Sequence, residues 1–405
     1  MTLKSKEYAL IINCGSSSIK LRLIDINEEI SVATGLIERI GSSACRQYVE
    51  WTGGFTEENH QFNNHQDSLT WSLNHLQAAD VIHDPSNLIL VCHRIVHGGE
   101  RFSNPVIVTD DILNELRTLN RLAPLHNPQN VVGMKIARNI FPNATHVAVF
   151  DTAFYRRLPP AAYRYAIPEW IYRDLGVRRY GFHGISHQYM MLQASELTGK
   201  SLSEGRFITL HLGNGCSISA IRNGQCVDTS MGMTPLEGLI MGTRCGDLDP
   251  TIPLILMHET GMSLAEAENL LNTESGLKGI CGENDMRAIH RLSEIGDSNA
   301  KLALEMFVTR IKKYIGSYIA ILNGADAIVF SGGIGEYDKI TRELICNSLD
   351  YLGINLDPAS NSIDTHTARV ISAGGSKILL LVVPTDEEMQ IAKQSLGMLE
   401  RTGIT

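Results

Sequence analysis

The sequence lacks most features that mark a specialised environment. No apolar run approaches the roughly 20 residues that span a bilayer, so no membrane-crossing helix is expected. The opening MTLKSKEYALIINC has neither the long apolar stretch nor the small-residue cleavage site of a secretory signal. Eight cysteines (Cys14, Cys45, Cys92, Cys216, Cys226, Cys245, Cys281 and Cys346) are scattered without CxxC spacing. That pattern predicts reduced thiols in a cytoplasmic protein and excludes a disulfide frame or a zinc site. Fourteen histidines invite a metal reading, but His60, His65, His75 and His83 stand in polar, loop-like or helical surroundings, and no transition metal is expected. Basic residues are not in excess. The formal charge of −9 argues against a general nucleic-acid or anionic-membrane surface. An anionic ligand must therefore be met by a local cationic pocket. No Pro/Ser-rich or low-complexity linker marks a domain boundary.

What is present is an ordinary globular composition, 43% hydrophobic and 20% charged, long enough for two or three domains. Apolar runs that read as strands recur: YALIIN, LILVCHRIV, THVAVF, RFITLHL, DAIVFS and KILLLVV. Between them lie helical patterns, such as TDDILNELRTLNRL with Thr109 and Asp110 as capping candidates, and a long apolar helix that Asn323-Gly324 ends. This alternation predicts an α/β architecture.

Three turns stand out. IINCGSSSIKLRLIDI (residues 11–26) joins an apolar strand to an alternating one through Asn13, Gly15, Ser16, Ser17, Ser18 and Lys20. Hydroxyls, free N–H groups and a cation suit a phosphate anion, although an ordinary polar hairpin would read the same. The spacing is not that of the strand-to-helix phosphate loop. RFITLHLGNGCSISAIRNGQ (206–225) repeats this plan, with His211, Gly213, Asn214, Gly215 and Ser217 in the turn. FSGGIGE (330–336) reads as a third glycine turn after an apolar strand, where backbone approaches a ligand closely. Together the three favour a nucleotide, gripped by two related domains.

The cationic side comes from HRIVHGGERF (93–102), APLHNP (123–128), FDTAFY (150–155), RRYGFHGISHQY (178–189) and MTPLEGLIMGTRCGDLDP (233–250). Taken in order with the glycine turns, these stretches resemble the acetate kinase family, the short-chain carboxylate kinase branch of the actin-like ATPase superfamily, from residue 8 to about 395. The resemblance implies two actin-like, ribonuclease H-like domains with a nucleotide cleft between them. Residues 1–150 would form the first, with 387–405 returning to it, and 151–386 the second. It implies reversible transfer of the ATP γ-phosphoryl group to acetate, giving acetyl phosphate and ADP, with Mg²⁺ (or Mn²⁺ in its place) and a homodimeric protein. Asn13 and Glu387 would organise the metal. Ser16, Ser18 and Lys20 would face the phosphates, and His211, Leu212, Gly213, Asn214 and Gly215 would cradle them. Asp285, Met286 and Arg287, with Gly333, Ile334, Gly335, Glu336 and Tyr337, would hold ribose and adenine. Arg94, Asp151, His183, Asn214 and Arg244 would surround the transferred group. Arg94 would also bind the acceptor, whose alkyl pocket Val96, Leu125, Phe182 and Pro235 would line, with His126 beside it. Tyr155 stands where the family commonly has histidine.

The chemistry agrees with this set. A carboxylic acid is already ionised at neutral pH, with a pKa of about 4–5, so it needs no general base. The barrier is charge repulsion, which Arg94 and Arg244 answer. Asp151 then orients Arg94 or a metal-bound water. His183 and His187 also fit a role as hydrogen-bonded core histidines, Asp247 and Asp249 fit a turn and helix cap, and Cys14 and Cys245 fit packing roles. The rival functions are a propionate kinase with a roomier pocket and a non-catalytic actin-like scaffold.

Overall fold

The computed structural model describes residues 6–403 apart from 16, 59–61, 63, 79, 80, 82, 83 and 125. Ser16 and Leu125 therefore lie outside the described residues. The chain forms two compact units, Met1–Ala153 with Asp386–Thr405, and Phe154–Thr385.

The first unit holds eight strands: β1 (Tyr8–Cys14), β2 (Ser18–Asp25), β3 (Ile30–Glu38), β4 (Arg46–Trp51), β5 (Gly54–Glu58), β6 (Leu88–Ile95), β7 (Val106–Ile107) and β8 (Thr145–Phe150). They lie in the order β5-β4-β3-β2-β1-β6-β8-β7. β1 to β5 form an antiparallel meander, while β1, β6 and β8 are parallel. Tyr8 to Ile12 of β1 are all buried, the continuous apolar reading of a strand covered on both faces. β2 alternates instead: Ile19, Leu21 and Leu23 are buried and Lys20 is exposed. Those three pack with Leu69, Leu73 and Leu76 of the helix His65–Ala78.

The second unit repeats this plan with β9 (Arg206–Leu212), β10 (Cys216–Arg222), β11 (Gln225–Thr229), β12 (Ala327–Ser331), β13 (Arg369–Val370) and β14 (Leu379–Val382). Their order is β11-β10-β9-β12-β14-β13, with β9, β12 and β14 parallel. Its sheet is the first unit's sheet without the two outer meander strands. The long helix is Ser298–Leu322, begun by Asp297, whose side chain accepts from the Ala300 N–H, and ended by Asn323 in the left-handed region. Thr109 caps the helix Asp110–Thr118 by accepting from the Ile112 N–H.

One local expectation is corrected. Residues 332–337 are not an open glycine turn but a six-residue helix that starts directly after β12. Gly332 makes the join with φ +76°, and a Cβ there would come within 2.7–3.0 Å of Leu212 backbone atoms. Among the described residues no helix is long and apolar enough to cross a membrane.

Candidate active site

In the first unit the candidate residues gather at the C-terminal ends of parallel strands, where α/β sheets bind ligands. Ile12 of β1 pairs with His93 of β6 and Ile95 of β6 with Phe150 of β8. Asn13, Arg94 and Asp151 thus stand on three adjacent strand ends. Arg94 makes a forked contact to Asp151, Nε to Oδ1 at 3.0 Å and Nη2 to Oδ2 at 2.7 Å. Its Nη1 lies 3.4 Å from Glu387 Oε2, at the start of the helix Glu387–Thr402. Burial works against the Arg94 charge, yet Asp151 and Glu387 outweigh it and hold the guanidinium above its ordinary pKa. Burial also pushes the Asp151 carboxyl up; Arg94 pulls it down, and Glu387 pushes it up again. The arrangement is one fixed cation between two carboxylates.

The shell around Arg94 is built from backbone-binding side chains. Asn130 accepts from the Val96 N–H and donates to the Cys14 carbonyl, tying the β6 end to the β1 end. Asn127 accepts from the His97 N–H and donates to its carbonyl. Thr152 accepts from the Gly98 N–H. Val96 is half-buried just beyond β6, and His126 precedes the helix Asn127–Ile140 as its N-cap residue. Lys20 is exposed opposite Asn13, and Ser18, half-buried, begins β2. Arg22, on the same face of β2, pairs with Asp386, which caps the last helix one residue before Glu387.

In the second unit a different set surrounds the turn after β9. His183 immediately precedes the helix Gly184–Thr198, in the left-handed region at φ 58°. A Cβ on Gly215 would lie 3.5 Å from His183 Cε1 and 3.6 Å from Arg244 Nη1, so ring and guanidinium converge on that turn. Arg244 donates to the Pro235 carbonyl at 3.3 Å, and burial lowers its pKa somewhat. Among the described residues it has no carboxylate partner. A guanidinium stays charged in proteins, so this cation remains available to an anion. Asn214 packs on Gly242, where a Cβ would sit 2.0 Å from its Oδ1. His211 stacks on His183 with centroids 4.3 Å apart. Phe182 is 3% exposed, and its carbonyl accepts from the Tyr155 hydroxyl at 2.6 Å. Tyr155 is buried, and a Cβ at Gly181 would press on its ring at 2.6 Å. It therefore supports the segment that carries His183.

A cavity of about 600 Å³ opens beside that turn. It brings together Gly213, Asn214, Asp285, Met286, Arg287, Gly333, Ile334 and Tyr337, a size suited to a cofactor-sized molecule. Asp285 caps the helix Met286–Glu294 and pairs with Arg287; hydrogen bonds from Arg287 hold its carboxyl down at about 2. Leu212, Gly335 and Glu336 do not line it: Leu212 and Gly335 form the packed floor where β9 and β12 meet, and Glu336 is 7% exposed near His366. Asn284, His290, Asp338, Lys339 and Ile340 do line it, although sequence reasoning missed them. The polar spacing of NDMRAIH and YDK was their only signal. Asp249 serves a turn, accepting from the Thr251 N–H and Oγ1, but caps no helix. Asp247 instead ties its loop to the long helix Ser298–Leu322, accepting from the Gly238 N–H and the Tyr314 hydroxyl and lying 3.4 Å from Arg310 Nη1.

The acetokinase family matches residues 8–393. The chain belongs to that family. It is similar to the acetate kinase of Nitratidesulfovibrio vulgaris (strain DP4), 47% identical over 399 residues that cover 96% of this chain and 99% of the relative. The acetate kinase of Carboxydothermus hydrogenoformans is 44% identical over 393 residues, covering 96% and 98%. Among solved structures, Porphyromonas gingivalis acetate kinase superposes with a TM-score of 0.91 at 39% identity, covering 97% of this chain and all of that one. A propionate kinase from Francisella tularensis gives 0.90 at 39%, covering 96% and 98%. The mixed α/β fold with two sheets is thus the fold of the acetokinase family, and the chain is a phosphotransferase acting on a carboxylate.

Whether these residues suit the divalent cation of a kinase follows from the donor set. Among the described residues no three His, Cys, Asp or Glu side chains form a metal cage. Mg²⁺ needs none, since it takes one or two carboxylates and fills its shell with phosphate oxygens and water. Asp151 and Glu387 repel each other beside a single arginine, and a hydrated cation relieves that repulsion. The carboxylates fit the ion. Asn13, half-buried at the end of β1, offers a neutral oxygen.

Proposed function

We propose that this protein is an acetate kinase, transferring the γ-phosphoryl group of ATP reversibly and directly to acetate. The observation that carries the reading is the forked Arg94–Asp151 pair with Glu387 alongside, in a chain of the acetokinase family. A carboxylate acceptor arrives ionised, so no residue has to remove a proton. Its oxygen attacks phosphorus in line, the new O–P bond forms as the bond to the β-phosphate oxygen breaks, and ADP leaves with the electron pair. The step gathers charge on three equatorial oxygens. Arg94 and Arg244 offer forked N–H donors to that charge and to the carboxylate, and His183 adds a donor. Asp151 holds Arg94 in one orientation and is not a base.

The nucleotide rests in the 213–215 turn and the adjoining cavity, with Gly333, Ile334 and Tyr337 toward the base and Asp285 to Arg287 toward the ribose. Leu212, Gly335 and Glu336 support the backbone there. Asn13 and Glu387 would hold Mg²⁺, which when bound neutralises phosphate oxygens and eases the repulsion between Glu387 and Asp151; Ser18 and Lys20 would face phosphates. Val96, His126, Phe182 and Pro235 shape the acceptor site. We further assign the unit of Met1–Ala153 and Asp386–Thr405 to an N-terminal actin-like domain and Phe154–Thr385 to the nucleotide-binding one, a few residues from the expected bounds at 150 and 387. The protein works in the cytoplasm as a homodimer, and the uncovered apolar helix Ile252–Thr260 supplies a contact face.

The test incubates the protein with ATP, Mg²⁺, a carboxylate and hydroxylamine, and reads the coloured ferric hydroxamate. Colour with acetate is expected. No colour with acetate, propionate or butyrate, despite intact ATP binding, would leave the scaffold reading. The structural match to a propionate kinase makes propionate the second reading, and the larger kcat/KM decides between the two acids.

A further inference from the structure

A line of buried polar side chains leads away from His183 and has no part in the transfer described so far. Thr209, His187 and Ser217 are all fully buried. Thr209 Oγ1 lies 2.7 Å from His187 Nδ1, and His187 Nε2 lies 2.7 Å from Ser217 Oγ. Ser217 Oγ lies 2.9 Å from His183 Nδ1. Three elements build this line. Thr209 stands on β9 and Ser217 on β10, in register opposite Ser219 and His211 respectively. His183 precedes the helix that carries His187, and the His187 backbone N–H donates to the His183 carbonyl at 2.9 Å, one turn away.

Such a line can run in two directions, because a hydroxyl and a neutral imidazole each donate once and accept. Burial holds His187 well below its ordinary pKa, so its ring carries a single N–H. Run outward, Thr209 donates to His187 Nδ1, His187 Nε2–H donates to Ser217, and Ser217 donates to His183 Nδ1. Every proton then has an acceptor. Run inward, His187 Nδ1–H donates to Thr209, and the Thr209 proton must find another acceptor. Among the described residues the only partner of Thr209 Oγ1 is His187 Nδ1, so the inward direction strands a buried donor, which folded interiors avoid. The outward direction wins.

We propose that Thr209, His187 and Ser217 form a relay that holds His183 as its Nε2–H tautomer, so that its ring donates to the transferred phosphoryl group while remaining neutral. The inference rests on the catalytic reading of His183 given above. The groups facing that ring, the stacked His211 and the Arg244 guanidinium, favour an uncharged imidazole, since added positive charge there is repelled. Thr209, His187 and Ser217 are positioning residues; they act through His183 and not on the substrate.

The test records long-range ¹H–¹⁵N spectra of the full-length, ¹⁵N-histidine-labelled protein at neutral pH, with His183 assigned by its loss in His183→Gln. The expected pattern is a protonated Nε2 and a bare Nδ1. Thr209→Val exchanges one hydroxyl for a methyl group. It should mix the two tautomers and lower kcat about tenfold, part of the loss for removing a whole donor, with KM for ATP and acetate unchanged. Thr209→Ser should restore both. A protonated Nδ1 in the wild type, or a Thr209→Val protein that keeps the wild-type pattern, overturns the relay. A shifted tautomer with unchanged kcat upholds the relay and removes His183 from the reaction. If Thr209→Val does not fold, the wild-type spectrum alone still decides the direction.

Discussion

At the scale of single residues, the two arginines differ in a way that predicts different failures. Arg94 is held by two carboxylates, whereas Arg244 leans on a carbonyl and a thioether. Replacing either by alanine should cut kcat by about a hundredfold or more, the loss of about 3 kcal/mol of transition-state stabilisation. KM for ATP should change little. Arg94→Ala should also lower the urea midpoint, because Asp151 and Glu387 lose their cation inside the fold; Arg244→Ala should not. Near-normal turnover in either variant would make that arginine structural. Val96 is the residue to test for acceptor choice. It is half-buried two positions after Arg94, and Ile95 between them is buried, so both half-buried side chains share a face. Its branched side chain is stiff about χ1. Wild type should prefer acetate over propionate by about ten- to a hundredfold in kcat/KM, and Val96→Ala should bring the two acids near parity. A wild type that favours propionate, or a ratio that does not move, defeats the assignment.

At the scale of elements, the first unit stores an acid-sensitive feature in its strand ends. His93 on β6 and His146 on β8 meet at 3.1 Å in the interior. His97, fully buried, accepts from the Gly99 N–H just after β6. Burial lowers the pKa of all three, His97 to about 3. In the unfolded chain they titrate near about 6.5. Below that pH the unfolded state binds more protons than the folded state, so stability that is complete above it drains away as pH falls toward the folded values. The slope is at most about 1.4 kcal/mol per pH unit for each histidine. The urea midpoint of the first unit should therefore drop between about pH 7.5 and about pH 5.5, with His97→Gln flattening the dependence. A midpoint independent of pH in that window would contradict the neutral, buried state of these rings.

At the scale of the whole molecule, the helix Ile252–Thr260 has no fully buried side chain: Ile252, Pro253, Leu256 and Met257 are half-buried, and Leu254 and Ile255 are 65% and 54% exposed. An uncovered apolar helix suits a partner surface, so Leu254→Glu with Ile255→Glu should halve the mass found by sedimentation while leaving the fold intact. A monomeric wild type, or a dimer that survives the change, rejects that face. The same scale separates what could be read from the chain alone. All six apolar runs became the parallel strands β1, β6, β8, β9, β12 and β14, because strands buried on both faces must be apolar throughout. The duplicated strand–turn–strand plan was equally legible, since turn chemistry is local. Glycines were harder: 332–337 spelled a turn, yet its packing on Leu212 lets a helix begin there. The cavity wall of Asn284, His290 and Lys339 was marked only by the polar spacing of NDMRAIH and YDK. The sequence by itself determined the strands, the hairpins and the stock of cations, through periodicity and residue chemistry. Only the tertiary structure decided that Arg94 sits between Asp151 and Glu387, and that Thr209 lies at the end of the line of hydrogen bonds to His183. Those pairings join residues far apart in sequence, where register and helix packing, not local preference, set the distances.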